Sequence, residues 1–205
     1  MDVARLYVRG HLPAGGIAVI GSRTPPPAAA EFAYELSYRL REPIVAGLAP
    51  GIDEAAHRGA LDAGVPTVAF VGYGFGCTDP PEFRELEDAI VAAGGAIATL
   101  LPPGTQVSAR SRIARDRLQA EHAHAVVLVC SETGGGAMYT MRFAQELGTQ
   151  RFAVQPPPRC VDPVWDGNRR CIDAGATALP FNVGEAVVML GSAWGVKRGS
   201  QKRQC

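Results

Sequence analysis

Short apolar runs recur along this chain, separated by segments in which apolar residues return every third or fourth position. Residues 16–22 (GIAVIGS) form the first such run, rich in β-branched side chains and closed by glycine. Its continuity predicts a strand buried on both faces. TPPP then breaks the backbone, and Phe32, Leu36 and Leu40 fall on one face of a following helix. The alternation continues: a strand in PIVAGLA, a helix in IDEAAHRGALDAG ending at Gly64, a strand in PTVAFVG, and a helix in PEFRELEDAIVAAGG with acids early and a glycine stop. AIATLLP and HAVVLVC predict the fourth and fifth strands, GGGAMYTMRFAQELG a glycine-opened helix, and RFAVQPP a sixth strand. A short helix around GNRRCIDAG and a brief strand at ATALP close the unit.

Strands alternating with helices imply βαβ crossovers, hence an α/β fold with a doubly wound, mostly parallel sheet in a single domain. Residues 15–190 hold this pattern, after a short N-terminal extension (1–14); the Gly/Ser-rich, basic stretch 191–205 lacks periodicity and predicts a flexible tail. Hydrophobic residues make up 47% of the 205, and charged residues 20%. That balance describes a soluble globular protein. No apolar run approaches the roughly 20 residues of a membrane helix, and the start lacks a signal-like apolar core, so the expected location is the cytoplasm. Twenty Lys and Arg balance twenty Asp and Glu, so attraction to nucleic acid has to come from a local basic patch. The five cysteines lie far apart without a CxxC pair, so metal-ligand spacing is absent, and their odd number argues against a complete disulfide framework.

In an open parallel sheet, ligands bind beyond the carboxyl ends of the strands. The unusual residues gather in those loops: Gly21-Ser22-Arg23, then Gly47 to Asp53 with Gly51 between them, then Gly72 and Gly74, and lastly Gly134-Gly135-Gly136 with Thr140. Glycines admit a ligand close to the backbone, and helix N-termini present N–H groups to an anion. The pattern is not the dinucleotide GxGxxG, nor a Walker loop, because the later glycines and the lysine are missing. Arg110, Arg112, Arg115 and Arg117 crowd one segment; they are either a solvated helix face or forks for phosphate oxygens. Asp53 stands where a helix begins and His57 one turn later. Capping and packing account for both more simply than catalysis.

With these motifs assembled, the chain resembles the DNA-processing protein A (DprA/Smf) family over residues 15–180. GSR, GLAPGIDEAAHRGALDAGVPTVAFVGYG, ARDRLQ and GGGAMYTMRFA are similar, in order, to the family's GxR, GLAxGID…AHxGAL, RNR and SGSLxTA motifs. The resemblance implies an extended Rossmann-like domain that binds single-stranded DNA, forms a homodimer and helps load recombinase during natural transformation, with no catalytic activity, cofactor or metal. It implies phosphate contact for Arg23, Arg115 and Arg117, and pocket-shaping for Gly47, Gly51, Asp53, His57 and the turn Gly135–Thr140. Two positions depart from the pattern. Pro50 replaces a residue that is often lysine, and Asp116 replaces the asparagine of RNR; both remove positive potential from a phosphate site. Neither the family's N-terminal helical domain nor its winged helix is expected in this chain. For base stacking the sequence offers Tyr73, Phe75 and Tyr139. A phosphoribohydrolase of the lysine-decarboxylase-like kind, or a nucleotide-sensing module, is the alternative. Phe143 stands where such an enzyme's catalytic glutamate belongs.

Overall fold

Strand β2 (Ile17–Ile20) lies at the centre of an eight-stranded sheet and is buried throughout. The computed structural model describes residues 5–201, with side chains to residue 193. From β2 the sheet grows one way through β3 (Ile44–Ala46), β4 (Thr67–Phe70) and β5 (Ala96–Thr99), all parallel. The chain then returns to the other edge of β2 and adds β6 (Ala125–Leu128), β7 (Gln150–Val154) and β8 (Thr177–Leu179), again parallel. This reversal between β2 and β6 is a topological switch point, where an open α/β sheet forms its ligand crevice.

Helices cover both faces. Ile17, Val19, Ile44, Val127 and Val154 pack against α1 (Pro27–Leu40), α2 (Ile52–Asp62) and α7 (Val183–Gln201). Ala69 and Ile97 extend that face under α3 (Arg84–Ala92). Ala18, Ile20, Val45, Phe70, Val126 and Leu128 point the other way, toward α4 (Ala109–His122), α5 (Ala137–Leu147) and α6 (Asp166–Asp173). The strict alternation explains why each parallel strand reads as a continuous apolar run.

Two elements differ from the sequence expectation. Strand β1 (Tyr7–Gly10) lies within the predicted N-terminal extension, yet it pairs antiparallel with β5 as the sheet's edge. Arg9 anchors it through ion pairs to Glu87 (2.9 Å) and Asp88 (3.1 Å) of α3. The predicted flexible tail instead continues as α7 to Gln201, and residues 202–205 lie outside the described residues. Ala186 and Leu190, one turn apart, bury against the core, and a helix nucleated by packing propagates at little further cost. No helix of the described residues is long and apolar enough to cross a membrane.

Candidate nucleic-acid interface

The loops leaving β2 and β6 frame a cleft of about 450 Å³, closed by α4 on one side and the N-terminus of α5 on the other. Gly21, Ser22 and Arg23 form one wall, Ser131, Glu132, Gly135 and Gly136 the opposite one, and Tyr139 and Thr140 the α5 side. Arg112, Arg115, Asp116 and Gln119 line it from α4. They sit at helical spacings of three, four and seven, so one face of α4 carries them all. Ser108 caps that helix: its Oγ accepts from the Ser111 N–H at 3.0 Å, and the Ser111 hydroxyl donates to the Gly72 carbonyl at 2.6 Å.

Beneath the cleft lies a buried ionic knot. Arg115, with a side chain only 11% exposed, places Nη1 3.5 Å from Asp53 Oδ2 and Nε 2.9 Å from Asp116 Oδ1. The Gly47 N–H donates to Asp53 Oδ2 at 3.1 Å. Gln119, oriented with its amide oxygen toward the knot, accepts from Arg115 Nη1 at 2.7 Å and from the Gly47 N–H at 3.3 Å. Its other end lies 3.3 Å from Thr140 Oγ1. The guanidinium fits because residue 47 has no side chain; a Cβ there would stand 1.0 Å from Nη1. One cation faces two carboxylates, and neither is solvated well enough to ionise easily. Burial pushes Asp53 up despite the opposing pull of Arg115. Burial likewise lifts Asp116 to about 6, with the Asp53 charge adding to it and Arg115 and Arg23 holding it down.

His57 is fully buried and does not line the cleft. Its Nδ1 lies 2.8 Å from Thr67 Oγ1, whose single proton is donated to the Ile44 carbonyl at 2.9 Å. Thr67 therefore accepts, so Nδ1 carries the imidazole proton and Nε2 is a bare lone pair without a partner among the described residues. Burial first, and Arg115 second, lower its pKa to about 3. His57 is thus a neutral packing residue joining α2 to β3 and β4.

The other glycines divide by role. Gly51 precedes α2 with φ +84°, and a Cβ there would meet the Ser22 carbonyl at 2.5 Å. Gly21 packs against Ile52 and the Cys130 carbonyl, Gly72 against the Arg112 backbone, and Gly74 against the Pro102 carbonyl. Gly72 and Gly74 are buried, so they join loops to α4 and the β5–α4 connection rather than open a ligand surface. Gly134 and Gly136 are exposed, Gly136 lining the cleft and Gly134 lying beside it, and Gly135 rests on the Ser131 hydroxyl.

The arginines also separate. Arg23 is exposed at the rim, with no ion pair among the described residues. Arg112 reaches the cleft but pairs with Asp79 at 2.9 Å. Arg115 is committed to the knot. Arg110 lines a different groove, beside Leu100 and Leu101. Arg117 pairs with Glu121 at 2.8 Å and lies over the Phe143 ring, outside the cleft. Pro50 borders a small recess that also touches Arg23 and Arg115, where a lysine would have added charge. Of the aromatic candidates, Tyr73 is buried with its hydroxyl donating to Glu87 at 2.6 Å. Tyr139, 37% exposed, stands in the cleft wall.

Asn168 escaped the sequence pattern. Fully buried on α6, it accepts from the Ser131 N–H at 3.0 Å and donates to the carbonyls of Val129 and Val154, both at 2.9 Å. It thereby fixes the start of the glycine loop. Only the tertiary fold brings it there, 37 residues from Ser131. Gln119 was findable, one helical turn beyond Arg115.

The arrangement suits an anion: the N-terminus of α5 brings the positive end of its dipole to the cleft, together with Arg23, which makes no ion pair among the described residues. Neither serine is set up as a nucleophile. Ser22 Oγ accepts from the Thr24 N–H, and Ser131 Oγ donates to the Glu132 carbonyl.

Residues 2–190 match the family model for DNA recombination-mediator protein A. A putative DNA processing protein DprA of Mycobacterium tuberculosis is 36% identical over 143 residues, 68% of this chain and 36% of that protein. The solved structure of DprA from Streptococcus pneumoniae superposes with a TM-score of 0.78 at 30% identity, covering 85% of this chain and 62% of that one. DprA from Helicobacter pylori, solved for its single-stranded DNA binding mode, gives 0.79 at 22% identity, with 92% and 87% covered, and supports the fold alone. The chain spans 33–56% of the length of the curated relatives it matches.

Proposed function

The chain belongs to the DNA recombination-mediator protein A family, and from that premise we propose that its switch-point cleft receives the phosphates of single-stranded DNA. One observation carries this: Arg23 stands exposed at the rim with no ion pair among the described residues, on the same cleft as the N-terminus of α5. Phosphate oxygens match that pairing of a planar fork with the positive end of a helix dipole. Binding at this cleft is weak and its salt dependence shallow, because Asp53, Asp116 and Glu132 face the arginines across the same cleft and few phosphates are neutralised there. The protein acts by binding alone; Phe143, in the place of a phosphoribohydrolase glutamate, packs under Arg117 and Arg142. In this reading it serves DNA processing during uptake in the cytoplasm, as a homodimer that hands the strand to a recombinase. The exposed Val188 and Met189 on α7 suit the dimer contact.

A gel shift of 5′-labelled oligo-dT at low salt tests the proposal. Wild type at micromolar concentration retards the strand, and Arg23→Ala abolishes or markedly weakens the shift. An absent wild-type shift, or an Arg23→Ala shift equal to wild type, overturns it. Release of free base from a nucleoside monophosphate would instead place the protein among hydrolases.

A further inference from the structure

A second cleft, of about 400 Å³, opens on the far side of the α5 N-terminus, between α5 and α6. It shares Gly135 and Tyr139 with the first, so the two are separated only by the glycine turn and one aromatic ring. Their charges differ. The first cleft sets three arginines against three carboxylates. The second is lined by Arg142, Arg151 and Arg170 and by no acidic residue. Arg151 is oriented by donating to the Ala174 carbonyl at 3.1 Å. Cys171 lines the same cleft as Arg151 and Arg170; burial pushes its thiol up, and the two arginines pull it back. Arg142 lies 5.2 Å from the centroid of the Tyr139 ring, and its one counter-ion, Glu146, is 3.6 Å away outside the cleft.

The geometry points to this second cleft as the continuation of the single-strand path: a strand seated at Arg23 crosses the Gly134–Gly136 turn, stacks a base on Tyr139 and delivers its next phosphates to Arg142, Arg151 and Arg170. The inference rests on the single-stranded DNA reading of the first cleft and adds a second site to it. Its chemical basis is the pairing of a stacking ring with three arginines in a cleft that no acidic residue lines, which suits a phosphodiester chain bearing bases. It also places the positive potential that Pro50 and Asp116 remove from the first cleft on the next stretch of the same strand. Arg170 is exposed, so its replacement leaves the fold intact.

Fluorescence anisotropy with labelled dT20, titrated with salt, tests the path. Arg170→Ala weakens binding about fivefold and lowers the slope of log K against log salt by about 0.7, the loss of one phosphate contact; Arg170→Glu weakens it further. Tyr139→Leu weakens binding about tenfold with the slope unchanged, since stacking releases no counter-ion. Arg58→Ala, on the solvent face of α2 beside Glu54, binds as wild type. If Arg170→Glu and Tyr139→Leu bind like wild type while Arg23→Ala is weakened, the path is refuted and the first cleft stands. If wild type fails to bind at low salt, both fall.

Discussion

Replacing Asp116 with asparagine isolates the cost of the buried knot. The carboxyl titrates at about 6 in the fold, against about 3.9 in an unfolded chain. A group whose folded value is raised contributes stability that is fully present below the lower value and lost as pH rises through the higher one. The wild type therefore carries a charging penalty at pH 8 that it does not carry near pH 4. Two units amount to about 3 kcal/mol. Asp53 shares Arg115 with Asp116 and divides the proton with it, so a gain on the order of 1–3 kcal/mol is expected for Asp116→Asn at pH 8. Asparagine keeps an oxygen for Arg115 Nε and leaves Asp53 as the counter-ion, making the knot electrically neutral. Urea unfolding of both proteins at pH 4 and pH 8 measures the difference. Near-equal stability at pH 4 and a more stable variant at pH 8 are expected, along with tighter oligo-dT binding at pH 8. A variant no more stable than wild type at pH 8, or a difference that does not change with pH, would refute the reasoning.

Two further substitutions probe the same region. Gly47→Ala forces a methyl onto the position of Arg115 Nη1, and its eviction costs on the order of 3 kcal/mol. In the Asp116→Asn background the cost is smaller because one fewer carboxylate is stranded, and a double-mutant cycle by thermal unfolding reads this coupling. Asn168→Ala strands the Ser131 N–H and the carbonyls of Val129 and Val154, at a cost on the order of 3 kcal/mol. Its urea midpoint falls, and hydrogen exchange quickens at residues 131–136; an unchanged loop would contradict the positioning role of Asn168.

What was legible in the sequence follows from burial. The five strands β2 to β6 are buried on both faces, so each stands out as a largely apolar run. Strand β1 did not, because it is a half-exposed edge carrying Arg9, whose partners on α3 are distant in sequence. Gly21, Gly135 and Gly136 from these loops line the switch-point cleft, and positions that admit a ligand or a close backbone contact both select glycine. Which of these two roles each plays depends on tertiary neighbours, and Gly72 and Gly74 prove to be packing glycines. The arginine cluster mixed two helix faces. Residues 112, 115, 116 and 119 reach the cleft, while 110 and 117, seven apart, lie off it; a count at helical period would have separated them. For Asp53 and His57 the sequence favours capping and packing over catalysis; Gly51 takes the N-cap position of α2, and both side chains are buried. Asp53 is spent on Gly47 and Arg115, and His57 on Thr67.

In this reading DNA lies along the switch-point cleft and over Tyr139. Photo-crosslinking of oligo-dT substituted with 5-iodouracil, followed by peptide mapping, tests it most directly. Adducts are predicted in the stretch 132–142, centred on Tyr139, and they vanish when Arg23 is replaced by alanine. Adducts confined to α3 or α7, or unchanged in the Arg23→Ala protein, would contradict the account.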